Sequence, residues 1–224
     1  MKIKTADLTR TYRIGPSTIT AVNEVNLEVN KVTFAAIVGP SGSGKSTLLN
    51  LLGLNDCPTS GKIFIDNTDT SLLSGRERRK IRLFRMGFVF QTFNLLPTLN
   101  TLENVELPLA LAGKFPKGQR EKAMRLLGNV GLGNRVYHRP KELSIGEMQR
   151  VAIARALAND PEVIIADEPT GELDSKTAKE IIELLFDINR KRETTVIVAT
   201  HDEKIVEAAD TLYAIRDGEL RLEN

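Results

Sequence analysis

The chain has 224 residues, 31 of them Lys or Arg and 29 Asp or Glu, for a formal net charge of +2. That length supplies core for one large or two small domains, and so even a charge argues against a protein drawn to nucleic acid by its net field. A single cysteine, Cys57, excludes an internal disulfide, fits a reducing cytoplasm and is expected to be partly buried as a small apolar residue.

Taken in order, Met1 to Asp7 lacks the apolar core of a signal peptide, and no later run has the length to span a bilayer. The chain is therefore expected to be soluble by itself, with any membrane role coming through a partner. Residues 2–8 and 18–29 alternate apolar and polar positions, as in Val25-Asn26-Leu27-Glu28-Val29, and predict strands of a half-exposed antiparallel sheet. Between them Thr11 to Pro16 is expected as a loop. Its Tyr12 either packs at a strand end or offers a flat face to a nucleotide base.

An apolar run, Thr33 to Val38, leads into Gly39-Pro40-Ser41-Gly42-Ser43-Gly44-Lys45-Ser46-Thr47, and Leu48-Leu49-Asn50-Leu51-Leu52 leads out. This is Gly-x-x-x-x-Gly-Lys-Ser in the strand–loop–helix setting that gives the motif its meaning. Its glycines let successive amides point inward at a helix N-terminus, which makes an anion nest. Lys45 adds a point charge for terminal phosphates, and the Ser46 hydroxyl suits Mg²⁺. The sequence therefore predicts that a nucleoside triphosphate is bound.

Beyond the following helix, Pro58 to Gly61 reads as a turn and Lys62 to Asp66 as a strand. Arg76 to Arg85 is a basic helical stretch that either meets anionic lipid head groups or nucleic acid or, the preferred reading, is a solvated face with Ile81, Leu83 and Phe84 turned inward. Gly87 to Gln91 is a buried-type strand; ligands of open α/β sheets sit at the C-terminal ends of strands, so Gln91 is placed to reach a phosphate or metal. Phe93 to Pro97 is a loop with exposed apolar residues. Thr101 to Leu111 and Lys117 to Val130 read as helices joined by a flexible link over 113–118. From about Phe93 to Asn159 there is little strand signal.

Ser144, with Glu147 three residues on, forms a capping box before a helix over Met148 to Ala158, and its first amides again suit an anion. Val163 to Ala166 is an apolar strand tipped by Asp167 and Glu168. There Asp167 suits Mg²⁺ through its water shell, and Glu168 suits polarising an attacking water. Asp174 or Ser175 caps a helix over about Lys176 to Arg190. Thr195 to Thr200 is another buried strand, tipped by His201, a candidate orienter of phosphate. Finally Thr211 to Arg216 and Glu219 to Leu222 flank Asp217-Gly218, a hairpin turn.

The whole chain, from about Lys2 to Leu222, resembles the ATP-binding subunit of an ABC transporter. The motifs follow that family's order: phosphate loop, glutamine loop, signature, acidic strand, aspartate loop and histidine loop. The stretches Gly87 to Gln91, Glu103 to Leu109 and Asp167 to Gly171 narrow the resemblance to the lipoprotein-releasing and macrolide-exporter branch. The resemblance implies an α/β P-loop NTPase fold, with a RecA-like core sheet, an N-terminal antiparallel β subdomain and an inserted helical subdomain. It implies one ABC ATPase domain over residues 1–224, with the core at about 1–92 and 160–224 and the helical part at about 93–159.

It further implies that two copies close head to tail over two ATP molecules. Tyr12 would stack on adenine, and Ser46 and Gln91 would ligate Mg²⁺. Glu168 would act as general base, and His201 would meet the γ-phosphate. Ser144 and Gly146 would reach the partner's γ-phosphate, and Asp174 would link the two sites. An integral membrane permease subunit would dock at Gln91 to Leu96 and the helical part, placing the chain on the cytoplasmic face of the membrane. No nucleic acid is expected as a partner. One departure stands out: Ile145 replaces the Gly that usually follows the signature Leu-Ser, and its β-branch adds bulk that is expected to slow turnover. A GTPase or kinase reading lacks an Asn-Lys-x-Asp guanine reader. A role in translation or DNA repair lacks the second ATPase unit or the coiled coil usual there.

Overall fold

A computed structural model of the chain describes residues 1–113 and 116–223. The strands are β1 (Ile3–Ile14), β2 (Ser17–Val25), β3 (Glu28–Val29), β4 (Phe34–Val38), β5 (Ser60–Ile65), β6 (Thr68–Asp69), β7 (Met86–Val89), β8 (Val163–Asp167), β9 (Thr195–Ala199), β10 (Thr211–Arg216) and β11 (Glu219–Glu223). The helices are α1 (Lys45–Leu52), α2 (Gly75–Arg85), α3 (Thr101–Leu111), α4 (Pro116–Asn129), α5 (Ile145–Ala156), α6 (Ser175–Arg192) and α7 (Glu203–Ala208).

The central sheet has six strands in the order β11-β10-β4-β9-β8-β7. All neighbours run parallel except the β10–β11 hairpin, whose turn at Asp217 (φ 50°) and Gly218 (φ 82°) takes the two positive φ values that the sequence predicts. Its inner strands β4, β8 and β9, with β7, are mainly apolar because both faces are covered, whereas the edge strand β11 is largely exposed. On one face Phe34, Ala36, Ile164, Ala166, Val196 and Val198 pack against α3 to α6. The alternate residues, Ala35, Ile37, Val163, Ile165, Ile197 and Ala199, pack with α1 and a second, five-stranded antiparallel sheet formed by β1, β2, β3, β5 and β6. Each fully buried Leu or Ile in these layers contributes about 1.5–3 kcal/mol of transfer free energy. The clamped sheet holds the C-terminal ends of β4, β7, β8 and β9 side by side, and the phosphate loop, Gln91, Glu168 and His201 follow those four ends.

Between β7 and β8 the described residues form helices and turns only. There Asn100 caps α3 and Ser144 caps α5, each in a reciprocal capping box. The link expected over 113–118 is shorter, because α4 already begins at Pro116; residues 114 and 115 of it lie outside the described residues.

Four local expectations are corrected. Thr11 to Ile14 is not loop but the end of β1, which turns back through Gly15 (φ 59°) into β2, with Tyr12 opposite Ile19. β-branched and aromatic residues there prefer the pleated sheet. The strand expected over 18–29 is split at Asn26, which exchanges hydrogen bonds with Asp7 before β3 forms. On α2 the inward positions go partly to arginines: Arg82 donates to the Leu54 carbonyl at 2.6 Å and Arg85 pairs with Glu162 at 2.5 Å, while Phe84 is 44% exposed. Cys57 is exposed rather than partly buried, beside the Arg78 guanidinium at 3.2 Å.

Candidate functional site

The phosphate loop turns sharply from β4 into α1. Gly44 has φ 109°, and a Cβ there would stand 2.1 Å from the Ala21 carbonyl oxygen. Only glycine accepts both that backbone and that approach. The register of β2 slips at Ala21, where Arg10 pairs with Val22 but Thr11 with Thr20, and this bulge brings the Ala21 backbone against the loop. Nothing in the sequence marks Ala21, because its part is played by the main chain.

A cavity of about 570 Å³ opens over the loop, lined by residues 39–47 together with Ala21, Gln91, Glu168 and His201. Lys45 Nζ donates to the carbonyls of Gly39 at 2.7 Å and Pro40 at 3.2 Å, and lies 3.7 Å from Glu168 Oε1. Its ammonium thus rests on the loop's own oxygens, ready to exchange them for phosphate. His201 Nδ1 stands 2.9 Å from Glu168 Oε2 but off the line of a hydrogen bond. Gln91 Nε2 donates to Glu172 Oε1 at 3.2 Å, a partner on the loop after Glu168 that sequence spacing does not reveal.

Asp167, the last residue of β8, carries a buried Oδ1 with no hydrogen-bond partner. An orphaned carboxylate oxygen close in sequence to the cavity-lining Glu168 fits a hydrated cation. Among the described residues no cluster of three or more His, Cys, Asp or Glu is placed to hold a metal. Ser46 and Gln91 on the cavity wall and the unpartnered Asp167 Oδ1 are oxygen donors of the kind that Mg²⁺ takes.

Five of the sequence-predicted residues do not line this cavity: Asp167, one position before the cavity-lining Glu168, and Tyr12, Ser144, Gly146 and Asp174. Tyr12 is held within β1: its hydroxyl donates to Asp56 at 2.8 Å, and the Arg10 guanidinium lies 4.6 Å over its ring. Ser144 caps α5, accepting from the Glu147 amide at 3.2 Å while its own amide donates to Glu147 Oε2 at 2.8 Å. Donation from the Ser144 amide first, then from its hydroxyl and from the Arg135 guanidinium at 3.0 Å, holds the Glu147 carboxyl below its usual range. Gly146 packs closely on α6: a Cβ there would meet Thr177 Cγ2 at 2.4 Å and displace that methyl. Asp174 caps α6, accepting from the amides of Lys176 and Thr177 and from the Thr177 hydroxyl at 2.6 Å; these bonds, the hydroxyl first, lower its pKa.

A glycine loop at a helix N-terminus, with a lysine inside it and acidic and histidine tips on the neighbouring strands, defines a nucleoside-triphosphate-binding protein of the P-loop class. The family model "ABC transporter" matches residues 22–171, and the chain belongs to that family. It is an ATPase. It is 45% identical over 213 residues to the lipoprotein-releasing system ATP-binding protein LolD of Legionella pneumophila, covering 95% of this chain and 94% of that one. It is 42% identical over 231 residues to the macrolide export ATP-binding/permease protein MacB of Bartonella henselae, covering 100% of this chain but 35% of that longer one. The solved dimeric, post-hydrolysis cassette MJ0796 bound to ADP and Pi superposes with a TM-score of 0.93 at 44% identity, covering 99% of this chain and 98% of that one. The narrower resemblance to lipoprotein-releasing and macrolide-export ATPases is thereby borne out, as is the ABC ATPase fold.

Proposed function

We propose that the chain is the ATP-hydrolysing subunit of a lipoprotein-release or macrolide/peptide-export type transporter, and that it works as a head-to-tail dimer whose closure on ATP drives an integral membrane permease. One observation carries this reading. Gln91, Glu168 and His201 converge on the phosphate loop, while Ser144 and Gly146, at an exposed helix start, line no part of the cavity. The site is half a site, and the α5 N-terminus of a second copy supplies the anion-binding half.

In this dimer Tyr12 stacks on adenine with the ring face that Arg10 leaves free. Lys45 and the loop amides hold the phosphates, and Ser46, Gln91 and Asp167 hold Mg²⁺. Bound there, magnesium offsets charge on the phosphate oxygens. Glu168 accepts a proton from water as the water oxygen bonds to the γ-phosphorus and the bond to ADP breaks. His201 orients the γ-phosphate, and Asp174 links the two sites.

The permease reading is supported by a second cavity, of about 520 Å³, on the outer side of β7; it is lined by Leu83, Phe88, Leu107 and Leu111 with Arg82 and Arg155. No helix among the described residues is long and apolar enough to cross a membrane. In this reading the subunit acts from the cytoplasmic membrane face through its permease partner. Steady-state hydrolysis tests the reading. The rate per chain rises with chain concentration, and a tagged chain co-isolates with an integral membrane protein. A rate per chain independent of concentration contradicts the dimer, and a tagged chain that brings down no membrane protein contradicts the permease.

A further inference from the structure

Glu168 has a main-chain φ of 44°, a left-handed conformation for a side-chain-bearing residue, and Pro169 follows it. A residue before proline is pushed toward extended backbone, so this turn is doubly unfavourable and persists only if its surroundings hold it. Two main-chain bonds do so from within the turn and the sheet: Glu168 N to the Ala199 carbonyl at 2.9 Å, and Gly171 N to the Glu168 carbonyl at 3.1 Å. The third tie comes from a side chain. Gln149, in the middle of α5, is 0% exposed and donates Nε2 to the Pro169 carbonyl at 2.8 Å. Its Oε1 is buried without a partner.

A fully buried amide that leaves its oxygen unpaired costs stability relative to an apolar side chain of similar size. Packing alone therefore gives no reason for a glutamine here. We propose that Gln149 is a positioning residue for hydrolysis: by fixing the Pro169 carbonyl it locks the strained turn that aims the Glu168 carboxylate into the phosphate cavity. Gln149 lies one helical turn beyond Ile145, so it also ties that turn to the helix end that carries Ser144 and Gly146. Resting on the head-to-tail reading above, this makes α5 a rigid link between the partner's nucleotide and this chain's own general base.

The experiment compares wild type with Gln149→Met and Gln149→Glu, measuring kcat, equilibrium ATP affinity and thermal midpoint. For Gln149→Met, which keeps the volume and loses the donor, kcat falls on the order of tenfold to a hundredfold while ATP affinity stays within about threefold. In Gln149→Glu a protonated carboxyl can still donate to the Pro169 carbonyl and an ionised one cannot, so kcat of that variant falls, relative to wild type, as pH rises. A Gln149→Met kcat within about twofold of wild type overturns the proposal. So does a parallel loss of kcat, ATP affinity and thermal midpoint, the pattern of a merely structural tie. If Gln149→Met does not fold, a Gln149→Glu pH profile parallel to wild type overturns it by itself. ATP-dependent dimerisation of Glu168→Gln separates the two readings: loss of kcat in Gln149→Met with no such dimer removes the head-to-tail site and leaves the positioning role standing.

Discussion

At the scale of single residues, Ile145 is where this chain departs from its family's usual signature. It is the first residue of α5, between Ser144 and Gly146, and its side chain is 47% exposed. An exposed isoleucine at the helix end assigned to a partner's phosphates adds β-branched bulk to a tight, polar contact. Replacing Ile145 with Gly is expected to raise steady-state kcat several-fold, even after the modest helix-propensity cost of about 1 kcal/mol. A variant no faster than wild type would remove the idea. Glu147, by contrast, is fixed by local chemistry: it closes the capping box and pairs with Arg135, so it holds the α5 start in place without touching the cavity.

At the scale of elements, the parallel strands and their tips were the most legible part of the chain. A strand buried on both faces has to be apolar along its run, so the polar residue that ends it stands out; Gln91, Glu168 and His201 were all found that way. The capping box at Ser144 and Asp174's cap of α6 were legible for the same local reason. Tyr12 was misplaced because a short Gly-Pro turn and a loop look alike until the partner strand is known. Gln149 was not legible at all: one glutamine in a helix that also carries Glu147, Arg150 and Arg155 looks like surface, and only tertiary packing buries it. The bulge at Ala21 acts through main chain and leaves no side-chain signature. Among the covering helices, α6 presents Ile181, Leu185 and Ile188 to the central sheet, with Leu185 0% exposed. Leu185→Ala is expected to cost about 2–5 kcal/mol of stability. The cost should be read as a lower urea midpoint at unchanged slope; a shift of under about 0.5 kcal/mol, the range of a surface change, would contradict the assigned packing.

At the scale of the whole molecule, two apolar layers on either face of one sheet leave the four strand tips rigidly aligned at one edge. That rigidity lets a bond such as Gln149 to Pro169 transmit position across the chain. What the fold does not bring together is equally informative. The phosphate loop, Glu168 and His201 share a cavity, while Ser144 and Gly146 stand outside it at a helix N-terminus that faces solvent. The central claim is that a second copy of the chain completes the site there. Light-scattering mass of Glu168→Gln with ATP tests it most directly. The expected result is a particle of about twice the 24.8 kDa chain mass, which returns to the single-chain mass when Ser144→Arg is added although ATP stays bound. An ATP-loaded Glu168→Gln chain that remains a monomer, or a dimer indifferent to Ser144→Arg, would contradict it.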